Sequence, residues 1–251
     1  MTYTVAAVDE AITLLLLVAA QPGLGVTEIA KRTGNTKGRA FRLLTTLEQR
    51  GLVSRQGASA AYYLDYQALH LGAAAHGQID LVRLAEEPLA RLGALCNETV
   101  AVRVRDGLET VCVARWESTQ PLRVQNALRR PLYAGASSKV LLAFAPQEVL
   151  DAVLASDRLR ITATTPVERD ALLGELEKVR QQDWAISVAE RTAETTGIGV
   201  PIRNAGGAVI AALTISAPSS RMTDERLDAY LRQLRAEAQT ISTGLGFVPR
   251  S

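Results

Sequence analysis

Apolar residues fill one face, and nearly the whole circumference, of "AVDEAITLLLLVAA", residues 7–20, and this predicts a helix from Ala7 to Ala20. Gln21-Pro22-Gly23 stops it, because proline lacks the donor a continuing helix needs. Thr27 is suited to cap a second helix, "EIAKRT", closed by Gly34, and Thr36 a third that reaches Arg50 and stops at Gly51. The period then changes: "LVSR", the turn "QGAS" and "AAYYL" read as a two-stranded hairpin. Three helices followed by a hairpin within residues 1–66 form the order of a winged helix-turn-helix domain.

From Tyr66 to Cys96 the pattern is helical, with a break expected at Pro88, and residues 67–80 read as a linker helix despite Gly72 and Gly77. Beyond Thr99 apolar residues alternate. "VAVRV", a turn at Arg105-Asp106-Gly107 and "ETVCVARW" predict a hairpin, and "PLRVQN" a further strand. Helices are expected at about Ser137–Phe144, Pro146–Ala155 and Pro166–Asp183, then strands "WAISVA", "GIGVPIR" and "GAVIAALTIS", then a helix from Thr223 to Gly244. Residues 81–251 therefore read as a second domain, α+β around an antiparallel sheet.

Charge sharpens this outline. The chain of 251 residues has a formal net charge of only +2. Yet between Lys31 and Arg55 stand Lys31, Arg32, Lys37, Arg39, Arg42, Arg50 and Arg55 against the single acid Glu48, so the remainder is net acidic. That asymmetry points to a polyanionic partner, with a solvated helix surface as the alternative. On a helical wheel Ala40, Leu43, Leu44 and Leu47 gather on one side. Gly38, Arg42, Thr45 and Gln49 lie opposite, with Arg39 and Thr46 flanking, and Thr36 opens the helix. Small residues let such a face approach a major groove. Arg42 and Gln49 have the donors for base edges or phosphates. Lys37 and Arg39, beside the exposed amides of a helix start, suit phosphates, and Arg55 in the hairpin is within reach of an adjacent groove.

In the second domain, strand alternation sets Ala208, Ile210, Ala212, Thr214 and Ser216 on one face and Val209, Ala211, Leu213 and Ile215 on the other. The first face turns small and hydroxylated toward its end, as a pocket floor would. Hydroxyls bonded to neighbouring backbone are the plainer reading. Ser187 shares a face with Ala185 and Ala189. In "GASSK", Ala136, Ser137 and Ser138 open a helix whose first amides lack internal partners and can receive a carboxylate, unless a serine simply caps them.

Other chemistry finds little support. Cys96 and Cys112 form neither a CxxC nor a Cys/His cluster, and His70 and His76 sit on a different segment, so no metal site or disulfide is expected. "GASSK" is not GxSxG, and neither a phosphate-binding GxxxxGK[ST] nor a GxGxxG is present, so neither an enzyme nor a nucleotide cofactor is expected. The apolar run Leu14–Ala20 is too short for a membrane span and lacks the basic leader of a signal peptide, which predicts a cytoplasmic protein. An architectural DNA-binding protein without a ligand would leave the large second domain to oligomerisation alone.

Two sets of motifs give a specific resemblance. "AVDEAITLLLLVA … VTEIAKRTGNTKGRAFRLLTTLEQRGLVSR … AYYLD" resembles the DNA-binding domain of the IclR family of bacterial transcription regulators. "PLYAGASSKVLLAF", "WAISVAERTAETTGIGVPI" and "AVIAALTISAPSSRMT" resemble that family's effector-binding domain, in its order and spacing. The resemblance implies a ligand-responsive regulator whose second domain is GAF/profilin-like. It places Lys37, Arg39 and Arg42 in the recognition-helix segment, with Gly38 and Arg39 where small hydroxyl residues are usual. It also implies an effector pocket lined by Ala136, Ser137, Ser138, Ser187, Gly197, Thr214 and Ser216, with Glu190 in the adjoining loop. Expected partners are a double-stranded, palindromic DNA operator, a small organic acid or aromatic effector, and further copies of the chain as a dimer or tetramer.

Overall fold

The computed structural model describes residues 4–57, 60–78, 80–125 and 127–248, with backbone alone at 75–78. The chain divides into two compact units, Met1–Ile79 and Asp80–Ser251.

In the first unit α1 (Ala6–Ala20), α2 (Val26–Arg32) and α3 (Lys37–Gln49) precede the antiparallel pair β1 (Val53–Gln56) and β2 (Ala61–Leu64), and α4 (Tyr66–Gln78) follows. Ala58 and Ser59 of the expected turn lie outside the described residues. The α2 start differs from expectation: Gly25, in extended backbone, is its N-cap, and Thr27 falls inside the first turn. At α3 the Thr36 hydroxyl does accept from the Arg39 amide, at 3.3 Å. Leu14, Val18, Ile29, Ala40, Leu44 and Leu47 form the buried core, and Leu15, Leu17 and Leu43 pack against it. The large apolar residues of α1 left exposed are Val8, Ile12 and Leu16, preceded by Val5.

The second unit opens with α5 (Asp80–Cys96), which runs through Pro88 without the expected break. Pro88 removes one helical donor, but it is buried in a helix whose Leu81, Ala85, Leu89 and Leu92 are all packed on the core, and tertiary burial outweighs the local cost. The strands are β3 (Thr99–Asp106), β4 (Glu109–Trp116), β5 (Arg129–Pro131), β6 (Ala185–Val188), β7 (Thr195–Arg203) and β8 (Val209–Pro218). They form one antiparallel sheet in the order β5-β4-β3-β8-β7-β6. The helices α6 (Ala136–Ala143), α7 (Gln147–Ala155) and α8 (Arg169–Gln182) cover one face, and α5 with α9 (Asp224–Gly244) covers the other.

The strand expected at "PLRVQN" does not form among its described residues; β5 follows it instead. The segment is held by side chains rather than by a ladder. Thr99 Oγ1 donates to the Val124 carbonyl at 2.9 Å. The buried Arg103 guanidinium donates to the carbonyls of Ala127 and Leu128, both at 2.9 Å. A register shift between Ile202 and Arg203 corrects the expected faces of β8. Val209 packs with the α6 side, whereas Ile210 joins Ala211 on the α5 side. One extra residue in a strand reverses everything before it. From Ala211 on, the alternation holds: Leu213 and Ile215 enter the α5/α9 core, while Ala212 packs beneath α6. Among the described residues no helix is long and apolar enough to cross a membrane.

Candidate functional site

The outer face of α3 is exposed at Thr36, Lys37, Gly38, Arg39, Arg42 and Gln49. Thr45 departs from the expected outer face. It is half-buried, and its hydroxyl is buried with no hydrogen-bond partner among the described residues. The fold also brings in an acid from outside α3 and pairs the one within it. Glu10 of α1 pairs with Arg39, accepting from its Nη2 at 2.9 Å. Glu48 pairs with Arg55 at 3.0 Å, and the Arg55 guanidinium lies 6.0 Å from the centre of the exposed Phe41 ring. Among the described residues Lys37 and Arg42 have no such partner. The basic face therefore holds two cations already paired and two that are not.

A cavity of about 370 Å³ lies in the second unit. Ala136, Ser137, Ser187, Gly197, Thr214 and Ser216, drawn from α6, β6, β7 and β8, all line it. Gly199 permits the assembly: a Cβ there would stand 2.9 Å from the Thr214 methyl and 3.4 Å from the Ser137 amide nitrogen, so a side chain would push α6 off the sheet. Gly135 caps α6 at φ +103°, a backbone region that glycine enters without cost. The amides of Ala136, Ser137 and Ser138 form the unpaired first turn. Thr214 lines the cavity but also donates to the Ala101 carbonyl at 3.3 Å, so part of the plainer reading of these hydroxyls holds.

Ser138 and Glu190 do not line this cavity. Ser138 is fully buried and turned away into the fold, its hydroxyl unpartnered among the described residues. Glu190 is a support: one oxygen accepts from the Gly135 amide at 2.9 Å and the other from Lys139 Nζ at 2.6 Å. Lys139, also fully buried, reaches Glu175 at 3.1 Å.

Sequence reasoning missed the arginines. Arg130 from β5 and Arg191 from the loop after β6 both line the cavity. Burial pushes the Arg130 guanidinium down to about 9, and the neighbouring Arg103 and Arg191 charges push the same way. Burial likewise lowers Arg191, and it takes Arg103 down to about 10. Arg103 is held by Thr110 and by the carbonyls of 127 and 128, so it props the cavity wall. The available signal for Arg103 was an arginine inside "VAVRV", a stretch whose other four residues are apolar on both strand faces.

The geometry is thus a basic helix face in one unit and a cationic, hydroxyl-lined cavity in the other. The family model for the IclR helix-turn-helix domain matches residues 7–57. The model for the C-terminal domain of the bacterial transcriptional regulator IclR matches residues 73–243. The HTH-type transcriptional regulator KdgR of Escherichia coli (strain K12) is 33% identical over 227 residues, 89% of this chain and 86% of that one. The regulator KipR of Bacillus subtilis (strain 168) is 31% identical over 243 residues, 96% of this chain and 97% of that one. An IclR homologue from Microbacterium hydrocarbonoxydans, solved in complex with 4-hydroxybenzoate, shares the fold with a TM-score of 0.83 at 24% identity, covering 95% of this chain and 98% of that one. A helix-turn-helix unit that binds DNA, joined to a unit that binds a small molecule, makes this chain a ligand-responsive transcriptional regulator, and it belongs to the IclR family.

Proposed function

We propose that α3 reads an operator half-site through Arg42 and Gln49, with Lys37 on a phosphate, and that the cavity beneath α6 binds a small carboxylate effector. What carries the effector reading is the lining itself: the open first turn of α6 beside Arg191 and the hydroxyls of Ser187 and Ser216, with no Asp or Glu among the described lining residues. Such a lining suits an anion. The genes controlled are then those that metabolise the acid, and the working compartment is the cytoplasm, where the DNA lies.

The response requires the effector to bind the DNA-competent and DNA-incompetent states unequally, and typical couplings of about 1–3 kcal/mol change operator affinity by roughly 5–150-fold. A thermal-shift screen of organic acids against their amides tests this. An acid that raises the melting temperature should lose that effect when amidated, and Thr214→Val with Ser216→Ala should weaken it while leaving operator affinity without ligand unchanged. Equal shifts from acid and amide would remove the carboxylate from the reading.

The chain acts as a dimer or higher assembly on paired half-sites, since one recognition helix contacts few base pairs. Supporting this is the exposed row Val8, Ile12 and Leu16, at helical spacing of four on α1, with Val5 ahead of it. Leu14, Leu15, Leu17 and Val18 do not supply it, because they serve the unit's own core. Light scattering at micromolar concentration should return at least twice the 26.9 kDa chain mass, and Ile12→Glu with Leu16→Glu should lower it. A wild-type monomer with and without DNA would end the paired-half-site mechanism.

A further inference from the structure

Arg130 and Arg191 come from opposite edges of the sheet, β5 and the loop after β6, and converge on one cavity. Their surroundings give each a separate role. Arg191 packs against the start of α6, its Cδ 3.2 Å from where a Cβ on Gly135 would stand. Arg130 stands beside Gln125, whose carbonyl its Nη2 meets only at 3.5 Å. On each guanidinium a buried nitrogen, Arg130 Nε and Arg191 Nη1, has no hydrogen-bond partner among the described residues.

Among the described lining residues the charges do not balance: Arg130 and Arg191 stand there without an Asp or Glu. Glu190, the nearest acid in the chain to Arg191, is engaged by Lys139 and by the Gly135 amide. A single carboxylate on the first turn of α6 and Arg191 would leave the half-buried Arg130 unmatched while the ligand strips water from it, and that added desolvation opposes binding. The described lining also contains no Phe, Tyr or Trp to stack on a ring. Its uncharged polar side chains are hydroxyls and one amide, Gln125.

We propose that the effector is an aliphatic dicarboxylate, one carboxylate on the α6 amides and Arg191, the other on Arg130. This rests on the carboxylate reading above and narrows it. Each guanidinium fork matches one planar carboxylate. A phosphate monoester would gather both charges at one arginine and leave the other bare.

Calorimetry on the full chain decides it, with succinate, glutarate and adipate set against butyrate, valerate and hexanoate, and glycerol 3-phosphate as a third class. The best diacid should bind at least tenfold tighter than the monoacid of equal length. Arg130→Gln, shown by its melting curve to be folded, should bring that diacid down to the affinity of its monoacid, and Arg191→Gln should weaken both. Diacids and monoacids binding equally would overturn the second anionic group while leaving the carboxylate reading intact. Glycerol 3-phosphate outbinding every diacid would overturn it as well. Failure of every acid to bind, at concentrations where the protein is folded, would take down both readings together.

Discussion

Lys139→Met should destabilise the effector-binding unit more than any other single change to its charged residues. The side chains of Lys139 and Glu190 are 2% and 8% exposed, and their contact is 2.6 Å. Methionine fills nearly the same volume, so packing is conserved and only the charge is lost. Among the described residues Glu190 then keeps the Gly135 amide as its sole remaining polar partner for the carboxylate, and Glu175 keeps Lys178. Breaking a buried pair from one side costs about 3–5 kcal/mol. For a domain of this size each kcal/mol moves the melting temperature by roughly 2–4 °C. The double variant Lys139→Met with Glu190→Leu removes the stranded charge and should recover much of the loss, because apolar replacement of a whole buried pair is often near neutral. It should not recover effector binding, since the Gly135 amide loses the carboxylate that fixes the opening of α6. Melting curves with and without effector read both effects. Wild-type stability in Lys139→Met would mean that the pair does not hold the cavity's rim.

The parts of the fold that were legible in the sequence are those with local causes. Thr36 and Gly51 mark the two ends of α3 because a cap and a positive-φ stop act within one turn of the chain. Thr27 misled because cap propensity is shared with glycine, and Gly25 two residues earlier was already extended. Pro88 misled for the opposite reason: the local cost is real, but the burial that overrides it involves residues over a hundred positions away, in α9. The reversal of Val209 and Ile210 comes from a register shift against β7, which no single strand encodes.

The candidate sites divide the same way. Six of the eight effector positions that the resemblance implies meet around one cavity; the hydroxyls of Ser187, Thr214 and Ser216 and the helix opening at Ala136 and Ser137 were also visible as a small, hydroxylated pattern, whereas Gly197 rested on the resemblance alone. Glu190 and Ser138 fall just behind it, one residue from lining positions Arg191 and Ser137. Arg130 and Arg191 were invisible because arginine is common on surfaces, and only the fold brings side chains from the two edges of the sheet to one site. On α3 the wheel gave the exposed face but not its neutralisation. Glu10 lies 29 positions from Arg39 in the chain.

That neutralisation separates the basic residues of α3 by their effect on DNA. Arg42→Ala should cost on the order of 1–3 kcal/mol on the operator if the guanidinium reads a base bidentately, and should relax preference at that one position. Lys37→Ala should weaken binding to every sequence alike and lower the slope of log affinity against log salt by about 0.9, the counterion share of one phosphate contact. Arg39→Ala should do less than either, because its charge is already matched by Glu10 in the free protein. Conversely, Glu10→Gln frees Arg39 and Glu48→Gln frees Arg55, and each should raise non-specific affinity and steepen the salt slope. Charge count alone ranks these residues equally; pairing does not. Binding isotherms on operator and random duplex at three or more salt concentrations distinguish the two, and an unchanged operator affinity in a folded Arg42→Ala, Lys37→Ala double variant would remove α3 from the interface.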